Sequence, residues 1–315
     1  MNSPNNHLFC FGYGYSCEYL GHNLMQKGWK ISGTTRSKEK LDDLKSRGIH
    51  AHLFSLENPL AAPFDILHSV THLLISTPPN DEGDPVFQLH KDDLSALPNL
   101  KWLGYLSTTG VYGNKNGAWV DEKTETNPTS KRGSRRLSAE KQWLSLNDGT
   151  SCPVHIFRLA GIYGPGRSAL DSVRAGVARR INKPDHCFGR IHVEDIAHIL
   201  ETSMKTPQAA SIYNVSDDLP VPSHTVIEYA CDLLGRPYPP MIDFEEADLT
   251  PMTRSFYMDN KKIKNERIKN DLGVKLKYPD YKAGLQGCLE AEEFALQSLK
   301  ETESGGIPGF NFSSK

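Results

Sequence analysis

Between His7 and about Arg158, short apolar runs alternate with stretches whose apolar residues recur at helical spacing. The runs HLFCF, WKISGTT, IHAHLF, THLLIS, WLGYLS and VHIFRL predict six strands, and their near-continuous apolar character predicts a sheet covered on both faces. Helices are predicted between them near Glu18 to Lys27, Lys38 to Arg47, Val86 to Leu97 and Ser134 to Asn147. Strand and helix in regular alternation define an α/β fold with a doubly wound parallel sheet. In such a sheet ligands bind beyond the carboxyl ends of the strands, where the strand order reverses.

Past Tyr163 the pattern loosens. Pro165, Pro184, Pro207, Pro220, Pro222, Pro237, Pro239, Pro240 and Pro251 interrupt shorter helical pieces, which predicts a smaller C-terminal lobe. The expected organisation is a nucleotide-binding domain over 1–162, a substrate lobe over 163–301 and a mobile tail over 302–315, whose sequence is rich in Gly and Ser and carries little periodicity. Segment 190–204 is expected to return and pack on the first domain.

The 315 residues carry a net charge of −2, from 36 basic and 38 acidic side chains, so no basic excess recommends nucleic acid or an anionic membrane as a partner. No run approaches the roughly 18–20 apolar residues of a bilayer span, and a cytoplasmic location is expected. Six scattered cysteines without a C-x-x-C pair read as reduced thiols. His186, Cys187 and His192 supply at most three ligands at no recognised interval, so no metal is expected.

Gly12-Tyr13-Gly14 directly follows the first strand and opens a helix, with Tyr15 at its start. A glycine pair there lets backbone N–H groups approach a pyrophosphate at a helix N-terminus, although it also serves any tight turn. The third glycine of the usual G-x-G-x-x-G spacing falls on Cys17. At the end of the second strand, where an acid would contact the ribose hydroxyls, stand Thr34, Thr35, Arg36, Ser37 and Lys38. Arg36 can make charge-assisted hydrogen bonds to a 2′-phosphate, with Thr35 and Ser37 adding donors, so the loop suits NADP, with NAD possible; a solvated basic helix start is the alternative. Thr77, beyond the fourth strand, completes the cofactor set.

Four further segments are Leu106-Ser107-Thr108-Thr109-Gly110-Val111-Tyr112-Gly113, the run from Phe157 to Arg167 (FRLAGIYGPGR), the run from Ile191 to Ala197 (IHVEDIA), and Ile212-Tyr213-Asn214-Val215. With the glycine loop they resemble, in order and over most of residues 8 to 290, the extended short-chain dehydrogenase/reductases, or NAD-dependent epimerase/dehydratase family. The resemblance implies a Rossmann fold, a nicotinamide cofactor and a small-molecule substrate. That family places Tyr-x-x-x-Lys after the fifth strand, where this chain has Arg132 and Arg136 within Pro128-Thr129-Ser130-Lys131-Arg132-Gly133-Ser134-Arg135-Arg136. A guanidinium does not deprotonate in a protein and cannot carry the proton that the tyrosine carries. The resemblance is therefore to an atypical subgroup.

Arg132 and Arg136 either bind an anionic substrate group, or are solvated or paired with Glu122, Glu125 or Glu140. Thr108, on the family's catalytic Ser/Thr position, either hydrogen-bonds a substrate oxygen or closes the strand-end turn. Packing is the expectation for Tyr112 and Tyr163, a solvated amine for Lys131, and an interdomain hydrogen bond for His192. Two functions follow: an NAD(P)-dependent oxidoreductase or epimerase/dehydratase-like enzyme for a small, anionic or nucleotide-sugar-like substrate, or a non-catalytic NAD(P)(H)-binding or sensing protein. A homodimer is expected from apolar positions at Leu137, Leu144 and Val86 to Leu97.

Overall fold

The computed structural model describes residues 6–148, 153–206 and 211–304. The first half runs β1 (His7–Phe11), α1 (Tyr15–Met25), β2 (Lys30–Thr35), α2 (Lys38–Ser46), β3 (His50–Leu53), α3 (Pro63–Leu67), β4 (His72–Ile75), α4 (Pro85–Ser95), β5 (Trp102–Thr108), β6 (Trp119–Val120), α5 (Lys131–Leu144) and β7 (Val154–Leu159). The second half runs β8 (Gly161–Tyr163), α6 (Ala169–Arg174), β9 (Arg180–Asn182), β10 (Arg190–His192), α7 (Val193–Lys205), β11 (Ser211–Val215), α8 (Ser223–Leu234), β12 (Met241–Asp243), α9 (Pro251–Phe256), β13 (Lys262–Ile263), α10 (Glu266–Asn270) and α11 (Tyr281–Ser304).

The central sheet is parallel throughout, in the order β3-β2-β1-β4-β5-β7-β11. It has seven strands where six were expected, because Ser211–Val215 joins the edge beside β7. Side-chain alternation divides β1 between the two faces. Leu8 and Cys10 pack with Cys17, Leu20 and Leu24 of α1 and with Ile196, Ile199 and Leu200 of α7. Phe9 and Phe11 pack with Leu67 of α3, Val86 and Leu94 of α4, and Ala139 and Trp143 of α5. Both faces are thus dry, which is why the strands read as continuous apolar runs.

α1 begins at Tyr15 rather than Glu18, and α5 at Lys131 rather than Ser134, because Gly14 and Ser130 hold the capping positions. α11 runs on to Ser304, so the first residues of the expected tail are helical, while 305–315 lie outside the described residues. Beyond β8, α6, α8 and α11 enclose a separate cluster of Tyr163, Leu170, Val173, Val226, Ala230, Tyr281 and Leu285. Leu144 and the α4 residues Val86, Phe87 and Leu94 pack in the core beneath the sheet, and Leu137 packs on Val111 and Tyr112, so the positions that suggested a dimer are spent inside the chain. Cys10, Cys17, Cys187, Cys231 and Cys288 are free thiols; Cys152 lies outside the described residues. No helix among the described residues is long and apolar enough to cross a membrane.

Candidate functional site

The strand order reverses between β1 and β4, and the chain leaves these two strands through Gly12 and through Ser76 and Thr77. Gly12 has φ of +81°, the left-handed region that glycine adopts without strain. β2 holds the turn: the Gly12 N–H donates to Thr34 Oγ1 at 2.8 Å and the Tyr13 N–H to the Thr34 carbonyl at 2.7 Å. A Cβ on Gly12 would stand 3.2 Å from the backbone N and the Cγ2 of Thr77, and 3.3 Å from the Ser76 carbonyl carbon. A Cβ on Gly14 would meet nothing nearer than the Gly12 carbonyl at 3.9 Å, so its outer side is open.

No side chain caps α1, and the positive end of its dipole faces this opening. Thr77 Oγ1 is buried and has no hydrogen-bond partner among the described residues. Tyr13, the middle residue of the turn, goes inward: a Cβ on Gly21 of α1 would stand 2.0 Å from its Oη, and one on Gly33 of β2 2.7 Å from its ring. These two glycines let helix and strand close on the tyrosine, while Cys17, at the third-glycine position, is buried with Sγ 3.6 Å from the Gly12 carbonyl. The Tyr15 side chain is committed elsewhere, its hydroxyl donating to the Pro165 carbonyl at 2.9 Å beneath the Arg167 guanidinium.

At the end of β2, Thr35 Oγ1 accepts from the Ser37 N–H at 3.3 Å, and Ser37 caps α2 by accepting from the Lys40 N–H at 3.3 Å. Arg36 is exposed between them and pairs with no carboxylate among the described residues.

At the end of β5, Thr108 Oγ1 accepts from the Gly110 N–H at 3.1 Å and closes the turn. Ser130 caps α5 through the Gly133 N–H at 3.1 Å, and Gly133 lets the helix start abut that turn, since a Cβ there would lie 2.8 Å from the Gly110 carbonyl. Lys131 and Arg135 share Asp81 at 2.9 and 2.6 Å. Arg136 Nη1 donates to the Leu106 carbonyl at 2.5 Å and to the Tyr105 hydroxyl at 3.2 Å. The Arg132 guanidinium lies 4.2 Å above the ring of Phe256 on α9; burial and then the Arg136 cation lower its pKa, while Asp259 opposes them. The alternative pairing of these arginines with Glu122, Glu125 or Glu140 is therefore corrected: Asp81, a backbone carbonyl and an aromatic ring take those roles.

Glu140 serves a different cation. The buried Arg158 of β7 donates through Nη2 to Glu140 Oε2 at 2.8 Å and through Nη1 to the Tyr112 hydroxyl at 3.0 Å. The Ser107 hydroxyl donates to Glu140 Oε1 at 2.5 Å, and the Tyr112 hydroxyl donates a hydrogen bond to Asn214 Oδ1 at 2.7 Å. Burial disfavours the Arg158 charge, yet Glu140 and Tyr112 outweigh it and hold the pKa above the ordinary arginine value. Reading the sequence missed this network, although Ser107, Tyr112, Arg158 and Asn214 sit inside the motif segments, because nothing in their spacing pairs them with one another or with Glu140. Tyr163 is packed with its hydroxyl on the Asp280 carbonyl, and His192 caps α7 by accepting from the Glu194 N–H at 3.3 Å. Burial pushes His192 down to about 4, against the pull of Glu194, so it is neutral at pH 7.

The parallel seven-stranded sheet with a glycine turn at its switch point defines a Rossmann-type α/β protein, a fold shared with NAD-dependent epimerase/dehydratase proteins among its structural neighbours. No family model matches it. Protein YeeZ of Escherichia coli strain K12 is 28% identical over 280 residues, covering 85% of this chain and 95% of YeeZ. A conserved protein of unknown function from Silicibacter pomeroyi DSS superposes with a TM-score of 0.84 at 47% identity, over 91% of this chain and 99% of the other. A proposed NAD-dependent epimerase/dehydratase from Methylobacillus flagellatus superposes with a TM-score of 0.68 at 25% identity, over 92% and 100%.

Proposed function

We propose that the chain is a cytoplasmic NADP(H)-dependent enzyme, an oxidoreductase or an epimerase/dehydratase-like catalyst of the atypical short-chain type, acting on a small anionic or nucleotide-sugar-like substrate. The observation that carries this is the crevice between Gly12 and Thr77: a left-handed glycine, an open Gly14, an uncapped helix start and an orphaned buried hydroxyl together fit a pyrophosphate. The nicotinamide relative from Methylobacillus flagellatus supports the same cofactor class.

A bound nicotinamide would supply the hydride donor or acceptor. The chain's own residues do the rest: Gly12, Gly14 and the N–H groups of the first α1 turn hold the phosphates, Thr77 donates its free hydroxyl, and Arg36 with Thr35 and Ser37 takes the 2′-phosphate. Thr108 keeps its hydroxyl proton for a substrate oxygen while its lone pair closes the turn. Arg136 is spent on β5, so Arg132 is the cation that meets an anionic substrate group, once the group displaces Phe256 from its guanidinium.

NADPH is expected to bind about 10- to 100-fold more tightly than NADH by calorimetric titration, and Arg36→Ala to erase that preference. Equal dissociation constants for the two cofactors would remove the basis for NADP. Turnover is read from the reduced-nicotinamide absorbance as sugars, acids and aldehydes are added. The contact of Arg132 with Phe256 also favours the second reading, a protein that binds or senses NAD(P)(H) without turnover, since it covers the position of the family's tyrosine. NADPH binding with no turnover across that library would select it. Crystals soaked in sulfate should hold an anion within hydrogen-bonding reach of Arg132, and Arg132→Tyr combined with Arg136→Lys should lose it; an empty cleft in the soaked crystals would end the anion assignment.

A further inference from the structure

Asp217 lies two residues beyond the end of β11 and is 1% exposed, yet neither of its carboxyl oxygens has a hydrogen-bond partner among the described residues. Its backbone N–H donates to the Arg190 carbonyl at 2.6 Å, which fixes it beside the start of β10. A buried carboxyl without a partner costs free energy that folding does not recover, so its presence calls for an explanation outside the fold.

Arg190 supplies the other half of the arrangement. Its Nη1 donates to the carbonyls of Phe188 and Val221 at 3.0 and 3.2 Å, which locks the plane of the guanidinium. Nε and Nη2 have no acceptor among the described residues, and the side chain as a whole is half-buried. Two donors of one guanidinium, held in place and unused, form the fork that takes a carboxylate or phosphate through paired hydrogen bonds. The charged and titratable groups around the pair are Tyr163 of β8, Asp218 with its partner Lys269, Tyr257 after α9, and Tyr281 of α11.

The position in the sheet says which part of a ligand this fork meets. β11, β7 and β5 are consecutive neighbours, and adjacent strands lie about 4.8 Å apart, so the end of β11 stands on the order of 10 Å from the end of β5, where Thr108 and the start of α5 are. An aromatic run joins the two ends: Phe188 lies 4.5 Å from His186 and 5.0 Å from Tyr257, and Phe256, next in the chain, carries Arg132.

We propose that Arg190, backed by Asp217, binds an anionic group, a carboxylate or a phosphate, at the end of the substrate remote from the reacting carbon. This deepens the reading of the crevice as a nicotinamide-dependent site and rests on it. An anion on the fork stands against the Asp217 carboxylate, so its capture draws a proton onto Asp217. Burial, with Asp218 nearby, already pushes that carboxyl up to about 7, against the Arg190 cation and the neighbouring backbone N–H groups of Arg190 and Leu219, which places the proton uptake near neutral pH. Because the anion-bound state holds the extra proton, anion affinity rises as pH falls through neutrality.

The test uses the full chain with Arg36→Ala, which silences the expected cofactor phosphate site. Arginine Nε–H signals are followed by nitrogen-proton NMR while sulfate, standing in for phosphate, or acetate is added; neither probe titrates between pH 6 and 8. The expected result is a saturable shift of one signal that is missing in Arg190→Lys, with affinity rising about tenfold from pH 8 to pH 6. Whichever probe binds more tightly identifies the source of the anionic group. Asp217→Asn, nearly the same shape, should bind the probe with a flat pH profile, and this keeps the question decidable if Arg190→Lys fails to fold. No shift with either probe, or an unchanged pH profile in Asp217→Asn, overturns the inference. NADPH titration of the unaltered chain separates the two levels: NADPH bound without an anion signal sinks this inference alone, whereas an anion signal without NADPH binding sinks the nicotinamide reading and the substrate-end assignment with it.

Discussion

Arg158→Met is expected to lower the unfolding free energy by about 3–5 kcal/mol, read from the midpoint and slope of urea denaturation. The side chain being replaced is 4% exposed, and it leaves behind Glu140, 1% exposed, with its cation gone and one short bond from Ser107 remaining. Tyr112 loses an N–H donor at the same time. The cost is that of an unpaired buried charge rather than of a lost attraction, which makes a second variant informative. Glu140→Gln added to Arg158→Met removes that charge and should recover at least about 1 kcal/mol of the loss, about a fivefold change in the folding equilibrium constant, although each change alone is destabilising. A double variant as unstable as the sum of the two singles would mean that the pair does not act as a unit.

The network also explains what could be read from the sequence and what could not. The strand runs were legible because burial on both faces of a parallel sheet leaves no polar alternation to confuse them, and β1, β4 and β5 fall within a residue or two of the runs. The glycine turn was legible because φ of +81° at Gly12 admits few residues. The seventh strand was not, since SIYNV follows a helix in the looser half and gains its ladder only from β7. The compensation for the missing third glycine was hidden for the same reason: Gly21 and Gly33 mean nothing until Tyr13 is seen between them. Arg190 and Asp217 are 27 positions apart and meet only because β10 returns to the edge where β11 ends. Residues that act through local backbone geometry write themselves into short motifs, whereas those brought together by chain crossings do not.

Gly14→Ala and Gly12→Val together separate a phosphate crevice from a mere turn. Gly14 has φ of −111°, which alanine adopts freely, and its Cβ would meet only the Gly12 carbonyl oxygen, at an unstrained 3.9 Å. Stability should therefore stay within about 1 kcal/mol of the parent, the loss being that of a poorer N-cap residue, since alanine ranks below glycine at a helix N-cap. The new methyl nonetheless fills the open side beside the uncapped helix start, so NADPH affinity should fall at least about 100-fold if the pyrophosphate sits there. Gly12→Val forces a β-branched side chain into φ of +81° and against Thr77 at 3.2 Å, and should lose about 1–3 kcal/mol of stability as well as the cofactor. Because the Gly14 methyl crowds nothing in the protein, any affinity it removes is affinity for a ligand in the crevice. NADPH binding at parental strength in Gly14→Ala would show that the helix start is not where the phosphates lie, and the nicotinamide reading would lose its anchor.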